Sequence, residues 1–276
     1  MSRRIIITGA SDGIGAAAAR QLVRDGHNVI LVGRSPEKTK AVAEETGAPH
    51  HLADFARLDE VRRLADELKQ YGPIDVLANN AGGVFQERRE TVDGFEMTFQ
   101  VNHLAPFLLT HLLLDRLMES NASVIQTSSV GNRAGKVDLG NLGFAKGYAP
   151  MRAYGTAKLE NILFTQELHR RFHERGLSSA AFHPGVVASS FAGSSTDLMG
   201  KVYASRLARS FMRTNEQGAD QLVWLASTPA GEGWESGQYY EKRKPARRIN
   251  RQTRDAALAR ALWARSEQVL GLTPAA

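Results

Sequence analysis

Short runs of apolar, often β-branched residues alternate along the chain with longer segments in which apolar residues recur every three or four positions. The first pattern is typical of buried strands and the second of helices that cover them. The apolar runs predict seven strands, which span Arg4–Thr8, Asn28–Val32, His50–Ala53, Ile74–Ala78, Ser123–Thr127, Ser179–Phe182 and Gln238–Tyr240. Because strands and helices alternate strictly, right-handed crossover connections are expected. The pattern predicts an α/β protein, a single-domain Rossmann fold whose doubly wound, mostly parallel seven-stranded sheet carries helices on both faces.

Helical spacing is found in the segments between these strands. The predicted helices span Ile14–Arg24, Pro36 to the residue before Gly47, Leu58–Tyr71, about residues 94–118, Arg152–Arg175 and Glu216–Ser227. No repeat or linker divides the chain, so residues 1–276 are expected to form one domain. The longest irregular stretch, about residues 186–214, is predicted to be a substrate lid, and residues 241–276 a C-terminal tail.

The composition narrows the classes of protein. Apolar residues make up 42% of the chain and charged residues 23%, as in ordinary globular proteins. The chain contains no cysteine, which excludes disulfides, thiolate catalysis and thiolate metal sites. The first residues already resemble a strand and a turn rather than a cleaved signal, and the longest apolar stretch, Leu104–Leu114, is too short to span a bilayer. We therefore expect a soluble cytoplasmic protein without a membrane anchor.

The formal net charge is +6, and much of the excess lies near the C-terminus. The basic residues there are Lys242, Arg243, Lys244, Arg247, Arg248, Arg251 and Arg254. They could form a patch for nucleic acid or membranes, or the solvated face of a loop and a helix. We favour the solvated face and predict no nucleic-acid partner, because no aromatic residues are interleaved with the basic ones.

A glycine-rich turn follows the first predicted strand and opens the first predicted helix. Glycines allow a tight turn and close approach of the backbone to a pyrophosphate, and the helix N-terminus offers free N–H groups. Ser11 and Asp12 could also simply cap the helix, and the two roles are compatible. The turn predicts a dinucleotide site formed by Gly9, Ser11, Asp12, Gly13, Ile14 and Gly15.

Arg34 follows the second predicted strand, where the adenosine ribose of a dinucleotide is expected. An acidic residue there would accept hydrogen bonds from a free 2′-hydroxyl, whereas arginine suits a 2′-phosphate. Lys38 lies one helical turn further on and could assist, although Asp12 contributes an unfavourable negative charge. We therefore predict NADP(H) in preference to NAD(H), with an unpartnered surface arginine as the alternative.

Tyr154 and Lys158 are spaced i and i+4, and Ser129 lies 25 positions before the tyrosine. On a helix the two side chains would share one face, so the ammonium could lower the pKa of the phenol, which is ordinarily near 10. The innocent alternatives are a lysine stem packed on a ring and a serine that makes a turn. Together with the dinucleotide turn, the three residues indicate hydride transfer coupled to proton transfer.

Histidines offer weaker candidates for chemistry. His169 and His173 have the i and i+4 spacing of a metal pair, but arginines crowd the same helical turns. A solvated helix face explains this pattern better, and no metal site is predicted.

Several motifs in order resemble the short-chain dehydrogenase/reductase family over nearly the whole chain. They are Thr8-Gly9 with Gly13-Ile14-Gly15, then Asp54, Asn79–Gly82, Asn102, Ser129, Tyr154, Lys158, and His183–Val187 with Ser189. Residues Val101–Leu114 and the region of Leu262, Trp263 and Ser266 are similar to the retinol dehydrogenase-like branch, which also resembles the WW-domain oxidoreductases.

This resemblance implies roles for individual residues. Asn102, Ser129, Tyr154 and Lys158 would be catalytic: the tyrosine donates the proton, the serine binds the substrate oxygen, the lysine also holds the nicotinamide ribose, and Asn102 anchors a water. The residues alone leave Ser128 and Ser129 as alternatives, and the family places the catalytic hydroxyl second. Beyond the glycine-rich turn and Arg34, the implied cofactor contacts are Asp54 (to adenine), Phe55, Asn80, Ala81, Gly82, Tyr154, Lys158, Pro184, Gly185, Val187 and Ser189.

The leading hypothesis is an NADP(H)-dependent oxidoreductase that interconverts a carbonyl and an alcohol on a small hydrophobic substrate, working as a ketone or aldehyde reductase. The alternatives are an NAD-dependent alcohol dehydrogenase, a cofactor-binding redox sensor with little catalysis, and a basic protein associated with nucleic acid. The resemblance also implies a homodimer or homotetramer, associated through the helices around Asn102 and Tyr154. The sequence leaves open the substrate, the stereochemistry and the physiological direction.

Overall fold

The computed structural model describes residues 2–186 and 213–274. Its strands form a single sheet in the order β3-β2-β1-β4-β5-β6-β7-β8, and all neighbours are parallel except the antiparallel pair β7 and β8. The strands are β1 (Arg4–Thr8), β2 (Asn28–Gly33), β3 (His50–Leu52), β4 (Val76–Asn79), β5 (Ser123–Thr127), β6 (Ser178–His183), β7 (Gln238–Glu241) and β8 (Lys244–Pro245). The predicted fold class is confirmed, with an eighth strand of two residues in addition to the predicted seven.

The extra strand follows a turn that the sequence pattern does not signal. Lys242 and Arg243 connect β7 to β8, and both adopt positive φ angles, 54° and 57°. Two-residue hairpin turns of this kind are usually Asn-Gly or Asp-Gly, so two long basic residues gave no hint of a hairpin. Arg243 forms an ion pair with Asp220, which helps to hold the turn.

Helices cover both faces of the sheet. They are α1 (Gly13–Arg24), α2 (Pro36–Thr46), α3 (Leu58–Leu68), α4 (Met97–Phe99), α5 (Ala105–Leu112), α6 (Leu114–Glu119), α7 (Pro150–Phe172), α8 (Asn215–Ser227) and α9 (Ala256–Leu270). Short 3₁₀ helices span Val130–Ala134, His173–Arg175 and Arg251–Arg254. The predicted bounds lie within a few residues of those observed, apart from the region 94–118 and the tail, where α9 was not predicted.

The single helix predicted over residues 94–118 is wrong, because the backbone changes its winding there. A π-helical segment, Gln100–Leu104, separates α4 from α5, and the N–H of Ala105 donates to the carbonyl of Gln100. Pro106 has no N–H with which to continue the α-helical ladder to Asn102, which accounts for the wider turn. Proline was therefore the sequence signal for this interruption.

The isoleucines of β1 show how the sheet divides the core. Ile5 and Ile7 point to one face, where they pack in a cluster with residues of α1 and α8. Ile6 points to the other face, towards α3, α5 and α7. All three side chains are completely buried. Burial of one such side chain is worth about 1.5–3 kcal/mol, so the doubly covered strand is strongly specified.

The C-terminal helix α9 packs on α5 and α7. The ring of Trp263 lies 4.8 Å from that of Phe107 and 5.6 Å from that of Phe164, measured between centroids. The Ser266 hydroxyl lies 3.0 Å from Nε2 of His103 in the π-helical segment. Helix α9 therefore covers part of α5 and α7, near the helix surface through which association was predicted. The oligomeric state stays a prediction.

Two properties of the described residues bear on other predictions. Within residues 2–186 and 213–274, no helix is long and apolar enough to cross a bilayer. The same residues contain no cluster of three or more histidine, aspartate or glutamate side chains that could hold a metal ion. The single-domain organisation of residues 1–276 and the cytoplasmic location stay predictions.

Glu160 is a carboxyl group buried in α7 without hydrogen bonds. Its side chain is 1% exposed, and neither carboxylate oxygen has a hydrogen-bond partner among the described residues. Burial, with a smaller contribution from the nearby Glu96 carboxylate, raises the pKa of Glu160 well above its ordinary 4.5. The folded protein therefore holds this proton at pH values where the unfolded chain has released it.

The replacement Glu160→Gln should reduce the loss of folding stability that accompanies a rise in pH. The raised pKa gives a contribution to stability that is fully present below about pH 4.5 and is lost as the pH rises through the pKa of the folded state. The free energy of unfolding should be measured by urea titration for both proteins. The value for the variant minus that for the wild type should increase as the pH rises above about 4.5. Each unit of pKa shift is worth about 1.4 kcal/mol. Glu44→Gln, at an exposed site, is the control, and a difference independent of pH would contradict the expectation.

Candidate active site

The glycine-rich turn after β1 is shaped by positive φ angles and by close packing within the turn. Gly9 and Gly13 have φ angles of 68° and 56°, and the Asp12 side chain caps α1 by accepting a hydrogen bond of 2.7 Å from the Gly13 N–H. A Cβ atom on Gly15 would lie 2.3 Å from the carbonyl oxygen of Gly9. Asp12 therefore has its predicted capping role, and Gly15 is required by packing.

The Thr8 hydroxyl joins this turn to the turn after β4. It accepts hydrogen bonds of 3.0 Å from the backbone N–H groups of both Asn80 and Ala81. The Asn80 side chain returns a 3.0 Å hydrogen bond to the Thr8 carbonyl. Thr8 is fully buried, so it organises the site from below without facing it. Its position in the glycine motif was the only sequence signal for this role.

One cavity of about 950 Å³ runs along the carboxyl ends of the strands. Arg34 and Lys38 line it after β2, and Tyr154 and Lys158 line it from α7. The other predicted site residues in its wall are Gly9, Ser11, Asp12, Gly13, Ile14, Asp54, Phe55, Asn80, Ala81, Gly82, Ser129, Pro184 and Gly185. Gly15 and Asn102 are not part of the wall, while Val187, Ser189 and most of the predicted lid lie outside the described residues.

The charged groups near the end of β2 differ in the contacts that they already make. The side chain of Arg34 is exposed and has no ion pair with a described residue. Lys38 extends to Asp12, where Nζ lies 2.7 Å from a carboxylate oxygen. Asp54 lies across the cavity after β3, and its carboxylate accepts a 3.0 Å hydrogen bond from the N–H of Ala56. Arginine is thus the group on this wall that could bind an added anion without first breaking a contact.

Asn102 holds the turn after β4 from behind the cavity. Its amide group donates to the carbonyls of Gly83 and Thr98 at 3.0 and 2.9 Å, and its oxygen accepts from the Gly83 N–H at 3.1 Å. A Cβ on Gly82 would lie 2.5 Å from this oxygen and 3.1 Å from Nζ of Lys158. The structure therefore brings Asn102 close to Lys158, with the amide of Asn102 hydrogen-bonded to backbone groups.

Lys158 is a buried cation beside the Tyr154 ring. Its side chain is 2% exposed, and Nζ donates a 3.0 Å hydrogen bond to the Thr127 carbonyl. The same nitrogen lies 5.4 Å from the centroid of the Tyr154 ring. Burial lowers the pKa of Lys158 to about 7, so its charge is sensitive to its surroundings near neutral pH.

The structure separates the two neighbouring serines. The Ser128 hydroxyl is buried and donates a 2.7 Å hydrogen bond to the carbonyl of Lys158. Ser129 is less buried, and its hydroxyl accepts a 3.1 Å hydrogen bond from the Gly131 N–H at the start of the 3₁₀ helix. Because Ser128 is used to hold α7, the Ser129 hydroxyl is the better placed to bind a ligand oxygen.

The segment after β6 is held by a residue that the sequence did not signal. The Gln221 side chain on α8 donates to the carbonyl of His183 and accepts a 2.9 Å hydrogen bond from the Arg243 N–H. The amide group supplies a donor and an acceptor at the same time, and Gln221 is 1% exposed. It therefore fixes the backbone just before Pro184. Burial lowers the pKa of His183 to about 4, which keeps this cavity-lining imidazole neutral at physiological pH.

The cavity wall near Tyr154 is largely apolar. Met151 and Val186 are half exposed at this end, and Tyr148 supports the wall through a 2.7 Å hydrogen bond from its hydroxyl to the Phe85 carbonyl. The lining residues there are Val84, Phe85, Gln86, Val130, Gly131, Ala149, Pro150, Met151 and Val186. None of these side chains is charged, whereas Arg34, Lys38 and Asp12 line the wall near β2.

Comparison with known proteins gives consistent matches. A sequence model of the short chain dehydrogenase family matches residues 3–200. A protein of Streptomyces sp. (strain C5), named as a candidate daunorubicin C-13 ketoreductase, is 41% identical over 98% of this chain and 93% of its own length. Human retinol dehydrogenase 13 is 36% identical over 98% of this chain and 85% of its own length. The structure of a short chain dehydrogenase from Burkholderia cenocepacia J2315 in complex with NADP superposes with a TM-score of 0.68 and 26% identity, covering 86% and 94% of the two chains.

The replacement Gly15→Ala should destabilise the protein. The new methyl group would lie 2.3 Å from the Gly9 carbonyl oxygen, a contact that the rigid turn cannot relieve cheaply. Overpacking of this kind costs about 1–3 kcal/mol in free energy of unfolding. Gly140→Ala is the matched control, because a Cβ there would meet its nearest neighbour at an ordinary 3.5 Å. Urea titration of both variants tests the expectation, and equal stability of the two would contradict it.

Proposed function

Since the chain belongs to the short-chain dehydrogenase/reductase family, in its retinol dehydrogenase-like branch, we propose that this oxidoreductase reduces a ketone or aldehyde of an apolar substrate with NADPH. The observation that carries the proposal is the single cavity, which has Arg34 at one part of its wall and Ser129, Tyr154 and Lys158 at another. A phosphate-binding group and a proton donor therefore share one space of about 950 Å³.

The residues present fit a nicotinamide dinucleotide. Gly9 and Gly13 adopt positive φ angles and have no side chain, so a pyrophosphate could approach the backbone closely at the N-terminus of α1. Asn80, Ala81 and Gly82 continue the cavity wall after β4, and Pro184 and Gly185 continue it after β6. These residues would hold the cofactor, and the reduced cofactor would supply the hydride. The NADP bound in the Burkholderia cenocepacia structure supports this assignment.

Arg34 supports NADP(H) over NAD(H). The guanidinium is exposed beside the cavity and free of an ion pair with any described residue, so a 2′-phosphate could bind it without displacing a carboxylate. Lys38 would add a second cation, but Asp12 holds its ammonium at 2.7 Å. The preference therefore depends mainly on the arginine, with the Asp12 carboxylate weakening it.

The proton in the reducing direction would come from Tyr154. Its hydroxyl would donate a proton to the substrate oxygen as the C–H bond forms at the carbonyl carbon, and the Ser129 hydroxyl would donate a hydrogen bond to the same oxygen. The buried Lys158 ammonium, 5.4 Å from the tyrosine ring, would stabilise the phenolate that remains. Asn102 would act through the turn at Gly82 and Gly83 by keeping Lys158 in place.

The wall near Tyr154 supports an uncharged, apolar substrate. Val84, Phe85, Val130 and Met151 contribute carbon surface there, and apart from Lys158 the described side chains that line this end carry no charge. The names of the two relatives, a ketoreductase and a retinol dehydrogenase, support a carbonyl or an alcohol as the reacting group.

The replacement Tyr154→Phe should abolish turnover while leaving the binding of NADPH nearly intact. Loss of general acid catalysis should reduce kcat for a ketone by at least about 10²-fold. The Kd for NADPH, measured by fluorescence titration, should rise by less than about tenfold, because at most one neutral hydrogen bond is lost. Tyr71→Phe, which removes a hydroxyl bonded to His51 far from the cavity, should leave kcat unchanged. Substantial residual turnover in the Tyr154 variant would refute the proton donor.

The replacement Arg34→Asp should weaken NADPH far more than NADH. A hydrogen bond to a charged group is worth about 1.5–3 kcal/mol, so the Kd for NADPH should rise about 10- to 100-fold or more. The Kd for NADH should change little, because this cofactor has no 2′-phosphate. Lys40→Asp, on the following helix α2 and outside the cavity wall, controls for the change in net charge. Equal losses for both cofactors would overturn the coenzyme assignment.

A further inference from the structure

The loop that contains Ser129 packs closely on α7, with backbone against backbone. We define residues 129–137 as the serine loop. A Cβ on Gly135 would lie 2.4 Å from the Gly155 carbonyl oxygen, and a Cβ on Gly155 would lie 2.5 Å from the Gly131 carbonyl oxygen. Gly155 directly follows Tyr154, so the seating of this loop determines the separation of the Ser129 and Tyr154 hydroxyls.

Residues 248–252, here called the C-terminal strap, run beside the serine loop. The Asn250 amide nitrogen donates to the carbonyls of Asn132 and Gly135, both at 2.8 Å. Its amide oxygen accepts a 2.9 Å hydrogen bond from the Gln252 N–H. Both donors of Asn250 are therefore used on the loop, and its oxygen keeps the strap in shape.

Two further residues join the strap to the loop. The Gln252 side chain forms a reciprocal pair with Val137, because it donates to the carbonyl and accepts from the N–H, each at 2.9 Å. Arg133 of the loop donates a 2.9 Å hydrogen bond to the Arg248 carbonyl and pairs with Glu241 at 2.8 Å. The loop is also tied to α7 by the Thr156 hydroxyl, which accepts a 3.1 Å hydrogen bond from the Lys136 N–H and donates one of 3.3 Å to the Lys136 carbonyl.

We propose that Asn250 is a positioning residue, which presses the serine loop onto α7 and so sets the geometry between Ser129 and Tyr154. Its two acceptors are the carbonyls of Asn132, in the middle of the 3₁₀ helix that Ser129 caps, and of Gly135, the C-cap of that helix, so one side chain holds the C-terminal half of the turn. Asn132 also contacts the Tyr239 hydroxyl at 3.3 Å, which ties the same turn to β7. The strap lies outside residues 3–200, which the family model matches, so the family motifs do not include it. This inference rests on the proposed function.

The test compares Asn250→Ala and Asn250→Asp with the control Asn28→Ala, at an exposed asparagine remote from the cavity. With NADPH and a ketone, kcat should fall about tenfold or more in Asn250→Ala, because small misplacement of catalytic groups is costly. Asn250→Asp should be at least as impaired, since a carboxylate would face two carbonyl oxygens. The Kd for NADPH of the Asn250 variants should stay within about twofold of the wild type. The kcat of the control Asn28→Ala should stay within the same about twofold margin, because this substitution is away from the reacting groups.

A double-mutant cycle with Ser129→Ala separates positioning from general destabilisation. If Asn250 acts through Ser129, adding Asn250→Ala to Ser129→Ala should cost much less in kcat than it costs in the wild type. An equal loss in both backgrounds, or a kcat per folded molecule within about twofold of the wild type in Asn250→Ala, would overturn the proposal.

Hydrogen–deuterium exchange gives a readout that does not depend on turnover. In Asn250→Ala, amides of residues 129–137 should exchange faster, while those of the glycine-rich turn should be unchanged. Unchanged exchange in the serine loop would also overturn the proposal. If the wild type reduces no ketone with NADPH, the proposed function fails, and the exchange experiment still decides whether Asn250 holds the loop.

Discussion

The parallel direction of the central strands is the constraint on which the site depends. Because β1, β2, β4, β5 and β6 run the same way, their carboxyl ends meet at one edge of the sheet, and the residues that follow them line one cavity. The turns after β1 and β4 lie so close that Gly9 and Gly15 have no space for a side chain, and the Thr8 hydroxyl bonds across the gap. Backbone packing at this edge therefore sets the shape of the cavity before any reactive group is considered.

The electrostatics of the site follow from burial. Lys158 lies under the turn after β4 with a backbone carbonyl as its hydrogen-bond partner, and desolvation lowers its pKa to about 7. A lysine in this condition responds strongly to any added charge, since nearby charges act with little screening in a buried setting. Arg34 has the opposite character, because it is exposed at the wall beside β2 and stays charged. The cavity thus combines a fixed surface cation with a buried cation whose charge depends on what is bound nearby.

The C-terminal region contributes to the site although it contains none of the predicted catalytic or cofactor-binding residues. Helix α9 covers α5 and α7 with Trp263, and the strap before it bonds to the loop of Ser129. Gln221 has a similar supporting role for the backbone at His183. The side chains of Asn250 and Gln221 each hold a backbone segment, and that segment carries residues that line the cavity.

The sequence by itself determined the α/β class, most strand and helix bounds, and the order of the motifs, because these depend on local hydrophobic periodicity and on residue types at short spacing. The single helix predicted over residues 94–118 was wrong because Pro106 changes the winding of the segment that precedes it. The β7–β8 hairpin was missed because Lys242 and Arg243 adopt backbone angles that glycine or asparagine usually adopts. The fold was needed to show that the Ser128 hydroxyl is used to hold α7, to place Asn102 behind the cavity wall, and to bring Asn250 to a loop more than 110 residues earlier in the chain. Such contacts depend on how distant segments pack, and no local pattern of residues encodes that packing.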